Sequence, residues 1–299
     1  MTPHDLSWKQ TYTGYLLAVA GMTGAGLTAI PYAIALKTVS PMGVVYGMFG
    51  CAFLMSVPGI LWKRPKVIVP IPLFLVLLGV AGLATLGNYA IGKAFMGMAP
   101  TLGMIIQRGE VMLAMLMSWL FLKEQTGLRL WGGMLVSLGG VVVTKIDSLT
   151  FDLAGWTPVL WAVCSAAAFA ATQVVSKKII HRVDPQVINF WRLGFSVFFM
   201  SMDAQLISEV QQIGAFEWRL LILLGLLGPF GARLAYIYSL RYLSVSKTVL
   251  ISTFTPVSTL ITEFLVLGHW LSWYEGLGGV LILSGILFAL FPSAIKVKA

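Results

Sequence analysis

The chain has 299 residues and a formal net charge of +9, and 58% of its residues are hydrophobic while only 10% are charged. An ordinary soluble domain is roughly 45–50% apolar and about 25% charged, so this composition excludes a soluble globular protein and indicates an integral membrane protein. The basic residues lie in short tracts beside apolar runs and are not interleaved with aromatic residues. This pattern argues against a nucleic-acid partner.

Ten apolar runs are long enough to cross a bilayer, since about 20 helical residues span a hydrocarbon layer of roughly 30 Å. The predicted spans are 12–36, 41–61, 71–94, 100–122, 128–144, 154–176, 185–207, 219–240, 245–267 and 273–291. Only helices and closed barrels satisfy every backbone polar group in lipid, and these runs lack the alternation of barrel strands. The sequence therefore predicts an all-α membrane protein of ten transmembrane helices, with the lipid bilayer as a partner.

The distribution of Lys and Arg among the short connections predicts the orientation of the chain. Thirteen basic residues border the membrane face that carries the N-terminus, three border the other face, and four lie within spans. Because excess positive charge is typical of the cytoplasmic side, both termini are predicted to be cytoplasmic. The predicted location is the plasma membrane, which in a bacterium is the inner membrane.

The two halves of the sequence can be overlaid with almost no gaps. At an offset of 144 residues Pro41 meets Pro185, and at an offset of 145 residues Gly140 meets Gly285. Residues 1–149 and 150–299 each hold five predicted spans, and because five is odd the second half must be inverted relative to the first. Inverted repeats are typical of transporters, in which two equivalent halves exchange conformations around a central site.

Two corresponding segments carry a family resemblance. They are AFMGMAPTLGMIIQRGEVMLAMLMSWLFLKE followed by GGMLVSLGGVVV, and SLRYLSVSKTVLISTFTPVSTLITEFLVLGHW followed by GGVLILSGILF. With ten spans in two repeats, they resemble the drug/metabolite transporter superfamily, in particular its EamA-type branch. The resemblance implies a ten-helix exporter or exchanger of small metabolites that works by alternating access around a central cavity. Glu124 fits the family's usual acidic residue after the fourth span, whereas His269 stands in the matching place of the second repeat.

The fourth span carries polar residues near the middle of the membrane. Arg108 and Glu110 lie roughly 12 and 15 Å along the helix from Pro100, and a charge there costs at least about 2.5–3.5 kcal/mol unless it faces water or a partner. An ideal helix places Gln107 and Glu110 on one face and Arg108 about 160° from Glu110, so Arg108 and Glu110 are predicted not to pair. Arg108 either contacts substrate or forms a structural pair with an acid on another helix.

The eighth span combines Pro229 and three glycines just ahead of Arg233 and Tyr236. Proline removes a helical hydrogen bond, so backbone groups at this break could face a ligand. Asn88 is the repeat equivalent of Arg233, and the pair would form two half-sites. The predicted substrate-binding residues are Asn88, Gln107, Arg108, Glu110, Gln173, Arg233, Tyr236 and Thr253.

Three residues are predicted to take part in coupling or gating. Burial disfavours the charged form of a carboxylate, so Glu110 could exchange a proton in competition with substrate. Arg192 lies within reach of the cytoplasmic interface and has either a structural or a gating role. Glu263 lies further from the midplane and is interpreted as a gate or an interface residue.

The spans hold four basic residues against Glu110 and Glu263, and this surplus favours a substrate with a carboxylate or phosphate. We therefore predict a secondary transporter that exports an amino acid or organic anion, with a lipid flippase on the same scaffold as the alternative. No Walker loop, nucleophile motif or metal-spaced ligand set occurs in the sequence, so neither an enzyme nor a cofactor is predicted. The predicted state is a monomer or a homodimer.

Overall fold

The computed structural model describes residues 8–63, 70–122, 128–143, 153–179, 182–239, 242 and 255–290. All of the regular structure in these residues is helical. The helices of the first half are α1 (Trp8–Leu27), α2 (Ala29–Ala35), α3 (Pro41–Lys63), α4 (Ile71–Phe95), α5 (Pro100–Gln107), α6 (Glu110–Leu122) and α7 (Leu128–Val143). Those of the second half are α8 (Leu153–Ile179), α9 (Pro185–Met200), α10 (Ala204–Gln211), α11 (Ala215–Gly225), a π-helical segment (Leu226–Ala232), α12 (Arg233–Ser239), α13 (Thr255–Leu267) and α14 (Trp273–Leu290).

Five helical stretches are long and apolar enough to cross a membrane. They are Tyr12–Ala35, Pro41–Trp62, Ile71–Phe95, Gly155–Ser176 and Ala215–Ser239. Shorter apolar helices lie within the fifth, ninth and tenth predicted spans. The fold class is thus the expected all-α arrangement, while the count of ten crossings and the cytoplasmic position of both termini stay predictions.

Local sequence explains where several helices begin. Pro41, Pro100 and Pro185 occupy the first position of α3, α5 and α9, where the missing amide hydrogen costs nothing. The Asp184 carboxylate caps α9 by accepting a hydrogen bond from the Gln186 amide at 2.8 Å. The seventh span was predicted to continue to residue 207, but α9 ends at Met200 because a turn follows it and leads into the separate helix α10.

Three predicted spans are interrupted near their middle. The first breaks at Thr28, and the fourth breaks at Arg108 and Gly109 between α5 and α6. In the eighth, the π-helical segment around Pro229 separates α11 from α12. Proline cannot complete an α-helical hydrogen-bond ladder, and π-helical turns are found frequently at functional sites. These breaks place irregular backbone at the depth where a transport site is expected.

Helices of the first half pack directly on helices of the second half. Helix α4 lies against α8 and α9, α3 lies against α9 and α11, and α7 runs along α14. A Cβ atom at Gly140 would lie 2.7 Å from the carbonyl oxygen of Gly278, so the α7 and α14 backbones touch there. Close approach through small residues is the usual way in which helices associate in lipid.

The outer surface of the bundle is strongly apolar. Ile71, Leu135 and Leu265 are each more than 70% exposed. A soluble monomer rarely exposes apolar side chains over a continuous surface of this kind. Lipid is the environment that such a surface requires.

Candidate functional site

A cavity of about 180 Å³ lies at the centre of the bundle. Its wall comes from α1 to α6 in the first half and from α8, α9, α11, the π-helical segment and α12 in the second. Seven of the eight predicted substrate-binding residues line it: Asn88, Gln107, Arg108, Glu110, Gln173, Arg233 and Tyr236. Thr253, the eighth, lies outside the described residues. Arg192 lines the cavity as well.

Arg108 and Glu110 form an ion pair, and the prediction that they cannot pair is wrong. Nη1 of Arg108 lies 2.9 Å from Oε1 of Glu110, and both side chains are more than 90% buried. The angular argument assumed one continuous helix, but α5 ends at Gln107 and α6 begins at Glu110. The amide of Gly109 donates to the carbonyl of Ile106, three residues back, so the chain winds more tightly here than an α-helix. The break brings the two side chains together.

A chain of buried hydrogen bonds holds this ion pair. Nη2 of Arg108 donates to Oε1 of Gln107 at 2.9 Å, and Nε2 of Gln107 donates to Oγ of Ser165 at 2.9 Å. Ser165 in turn donates to the carbonyl oxygen of Gly87 on α4 at 2.7 Å. The chain joins α5, α8 and α4, so it fixes the position of the pair relative to both halves. Nε of Arg108 is buried without a partner in the described part of the chain.

Arg192 is buried and bound to other protein groups, so its side chain does not reach the surface of the bundle. Its Nη2 atom donates to Oδ1 of Asn189 at 2.8 Å and to the carbonyl oxygen of Pro229 at 3.2 Å. Its guanidinium lies over the Phe49 ring, 5.3 Å from the centroid. The π-helical segment therefore supplies a carbonyl that accepts a hydrogen bond from a side chain of α9. Arg192 is 4% exposed.

Arg233 differs from the other two arginines because no described residue accepts a hydrogen bond from it. Its Nε atom is buried and has no partner. The guanidinium lies 5.8 Å from the centroid of the Tyr236 ring. Arg192 and Glu110 line the same cavity wall. A cation held at the cavity wall in this way is available to an anionic ligand.

The cavity wall carries a surplus of two positive charges. Arg108, Arg192 and Arg233 line it, and Glu110 is the only acidic residue among the described lining residues. The sequence predicted the same surplus from a different set, because it counted every charge within the spans and so included Lys93 and Glu263. Lys93 instead lies over the Tyr89 ring, 5.7 Å from its centroid, outside the cavity.

Glu263 lies away from the cavity, in a cluster that we call the latch and define as Thr101, Glu263 and His269. Oε2 of Glu263 accepts hydrogen bonds from the Thr101 amide at 2.8 Å and the Thr101 hydroxyl at 2.6 Å. Oε1 lies 2.9 Å from Nδ1 of His269. Glu263 is 1% exposed, whereas half of the His269 side chain reaches solvent. The latch therefore links the start of α5 in the first half to the end of α13 in the second half.

Sequence reasoning missed several residues of these networks. Asn189 stands three positions before Arg192, so helical spacing could have identified it as a neighbour on the same face. Ser165 and Thr101 gave no such signal, because their partners lie 58 and 162 residues away along the chain. Tyr32, which donates to the carbonyl oxygen of Asn88 at 2.8 Å, was missed for the same reason.

Comparison with known proteins gives three findings. A family model described as the EamA-like transporter family matches residues 12–146 and 156–291. The "Probable transport protein YPL264C" of Saccharomyces cerevisiae is 30% identical over 138 residues, which are 42% of this chain and 39% of that protein. The "Uncharacterized inner membrane transporter YhbE" of Escherichia coli K12 is 20% identical over 142 residues, which are 46% of this chain and 44% of that protein. The match thus spans less than half the length of either relative.

A solved crystal structure shares the fold. It aligns over 94% of this chain and 96% of its own with a TM-score of 0.63 and 19% sequence identity. A sequence identity of 19% supports a shared fold and nothing about function.

Proposed function

The chain belongs to the EamA-like transporter family, and from this premise we propose that it is a secondary active transporter that moves a small organic anion or zwitterion, such as an amino acid, across the membrane by alternating access. It is a multi-pass membrane protein with two family repeats, and it is a transporter rather than an enzyme. The name of the E. coli relative supports the inner membrane as the location.

The observation that carries the proposal is the cavity wall, in which three guanidinium groups stand against one carboxylate. Arg108 and Arg192 already have acceptors, so Arg233 is the residue that binds the anionic group of the substrate. Guanidinium binds carboxylate and phosphate in a bidentate manner, which supplies both affinity and orientation. Asn88 and Gln173 face the same space and complete the polar wall.

Alternating access is supported by the way in which the cavity is built. It lies between helices of both halves, and interrupted segments from both halves line it: the breaks at Thr28 and between α5 and α6 in the first half, and the π-helical segment in the second. In transporters with inverted repeats, broken helices at the midplane hold the substrate while the two halves move around it. Domains 1–149 and 150–299, ten crossings and cytoplasmic termini are part of this proposal.

Glu110 is the proposed coupling residue. Its carboxylate pairs with Arg108 when it is ionised, and an ammonium group of a zwitterionic substrate would bind it only in that form, so a proton and the substrate's ammonium group compete for Glu110. Export driven by a proton gradient follows from such competition. Arg192, which holds the π-helical carbonyl, is the proposed gating residue on the second half.

The proposal is tested with purified protein in liposomes. Uptake of labelled amino acids, organic acids and phosphorylated metabolites is measured with and without an imposed pH gradient, against liposomes without protein. Saturable uptake of at least one anion or zwitterion is expected, with a faster initial rate when protons can move in exchange. Uptake that never saturates, as through a channel, would contradict the proposal.

The latch is proposed as the gate that closes one end of the cavity, with Glu263 as its central residue. Thr101→Val removes the hydroxyl that donates to the Glu263 carboxylate, and Glu263→Gln replaces that carboxylate by a neutral amide that accepts more weakly. A hydrogen bond to a charged group contributes about 1.5–3 kcal/mol. We expect each variant to open this end more often. The measurement is the rate at which an impermeant maleimide modifies a cysteine placed at Met104, in a protein whose Cys51 and Cys164 are alanine.

The expected increase in that rate is at least about tenfold, since 1.4 kcal/mol corresponds to a factor of ten. Glu275→Gln is the matched control, because Glu275 accepts a hydrogen bond from the Ser272 amide in the exposed connection after α13. Equal modification rates in the wild type and in both latch variants would refute the gate.

A further inference from the structure

The cavity has a polar end and an apolar end, and positions along α4 and α5 show which end lies nearer to the latch. On α4, Asn88 lies at the polar end and Phe95 lies about 10 Å further along the helix. On α5, Met104 lies about 6 Å before Arg108 on the side of the latch. Asn88, Phe95, Met104 and Arg108 all line the cavity. The charged groups therefore stand away from the latch, and the space nearer to it is lined by hydrocarbon.

The apolar end consists of Tyr32, Ile91, Phe95 and Met104, and each is less than 10% exposed. Tyr32 and Phe95 meet edge to face with centroids 5.8 Å apart. The Tyr32 hydroxyl is already used, because it donates to the carbonyl oxygen of Asn88. A polar group placed in this space would lose its hydration without gaining a partner. An apolar group placed there would gain by leaving water.

The polar end offers two unused positions to a ligand. Arg233 has donors without an acceptor in the described chain, and its Nε atom is buried. Glu110 pairs with Arg108 through Oε1, and no described residue donates to its other oxygen. A carboxylate fits Arg233, and a neighbouring ammonium group fits the free oxygen of Glu110.

We propose that the substrate is a small amphipathic carboxylate whose carboxylate binds Arg233 and whose hydrocarbon or aromatic body fills the apolar end formed by Tyr32, Ile91, Phe95 and Met104. This rests on the proposed transport function and narrows its substrate class. Polar amino acids, dicarboxylates and phosphorylated metabolites are excluded as preferred substrates, because their second polar group would occupy the apolar end.

The test compares ligands of equal size and charge but different polarity. Leucine and asparagine have side chains of similar shape, and 4-methylpentanoate is leucine without its ammonium group. The thermal unfolding midpoint of the purified protein is measured against the concentration of each compound, and the concentration for half of the maximal stabilisation is recorded. Leucine is expected to act at a concentration at least about tenfold below that of asparagine, since each buried methylene favours binding severalfold. If 4-methylpentanoate acts at the same concentration as leucine, the ammonium group contributes nothing to binding. If it requires a higher concentration, the ammonium group contributes to binding, and Glu110 is its partner.

Ile91→Thr places a hydroxyl group at the apolar end and is expected to reduce the leucine-to-asparagine preference at least about threefold. Ile282→Thr is the matched control, because Ile282 is equally buried but lies at the contact of α7 with α14 and not in the cavity. The readout is a ratio of two concentrations in the same protein, so a loss of stability alone leaves it unchanged.

Two outcomes would overturn the inference. If asparagine, aspartate or a phosphorylated metabolite acts at a lower concentration than leucine, the substrate is hydrophilic, and the proposed anion transport still stands. If none of these compounds stabilises the protein and none is taken up by liposomes that contain it, the inference and the proposed function both fail.

Discussion

Replacing Arg233 by alanine is expected to lower the uptake of carboxylate substrates by about 10- to 100-fold. A hydrogen bond to a charged group contributes about 1.5–3 kcal/mol, and 1.4 kcal/mol is a factor of ten in affinity. Arg233→Lys should recover only part of this loss, because an ammonium group is a point donor without the planar fork of guanidinium. The measurement is the initial rate of uptake by liposomes at a substrate concentration well below KM.

The unfolding midpoint of Arg233→Ala shows whether a loss of uptake comes from weaker binding or from a damaged fold. Arg233 has no acceptor among the described residues, so its removal leaves no new unpaired group. The unfolding midpoint of Arg233→Ala should therefore equal or exceed that of the wild type. Arg219→Ala is the matched control, because Arg219 is exposed on α11. Normal uptake by Arg233→Ala would remove the residue from the site.

Breaking the Arg108–Glu110 pair is expected to destabilise the protein more than any other single change considered for the cavity. Glu110→Gln leaves a buried guanidinium without its counter-ion, and a loss of about 3–5 kcal/mol follows from measurements on comparable buried pairs. Arg108→Gln should destabilise by a similar amount because it strands the carboxylate. The measurement is the free energy of unfolding in mixed micelles of mild and denaturing detergent.

The double variant Arg108→Gln/Glu110→Gln distinguishes this explanation from a general loss of packing. Neither unpaired charge remains in it, so it should lose less stability than the sum of the single variants, with a coupling energy of about 1–3 kcal/mol. Glu217→Gln is the control, since Glu217 accepts an exposed hydrogen bond from Thr38 at 3.3 Å. Strict additivity would mean that the pair seen between α5 and α6 contributes nothing.

The same variants examine the proposed coupling role. The double variant keeps Arg233 and so should still bind anions, but its uptake should no longer respond to a pH gradient. If its response to pH equals that of the wild type, Glu110 does not carry the coupled proton.

Composition and hydropathy were enough to predict the class of this protein. Apolar runs of membrane length exclude other folds, since lipid leaves the backbone no partner except itself. The same logic identified most of the site, because polar side chains within such runs are costly and must face a cavity or a partner. Seven of the eight predicted substrate-binding residues do line one cavity, whereas their binding of substrate is still a prediction.

Only the tertiary structure decided which of these residues meet. The Arg108–Glu110 pair depends on a break in the fourth span, and helical periodicity cannot anticipate a break because it assumes a continuous helix. Glu263 accepts a hydrogen bond from Thr101, which lies 162 positions away along the chain. Arg192 donates to a carbonyl oxygen of the π-helical segment, which belongs to another span. Hydropathy and periodicity are local properties of the chain, whereas partners across a bundle are set by how its helices pack. The sequence by itself therefore determined which side chains needed a partner, and the packing decided which partner each one found.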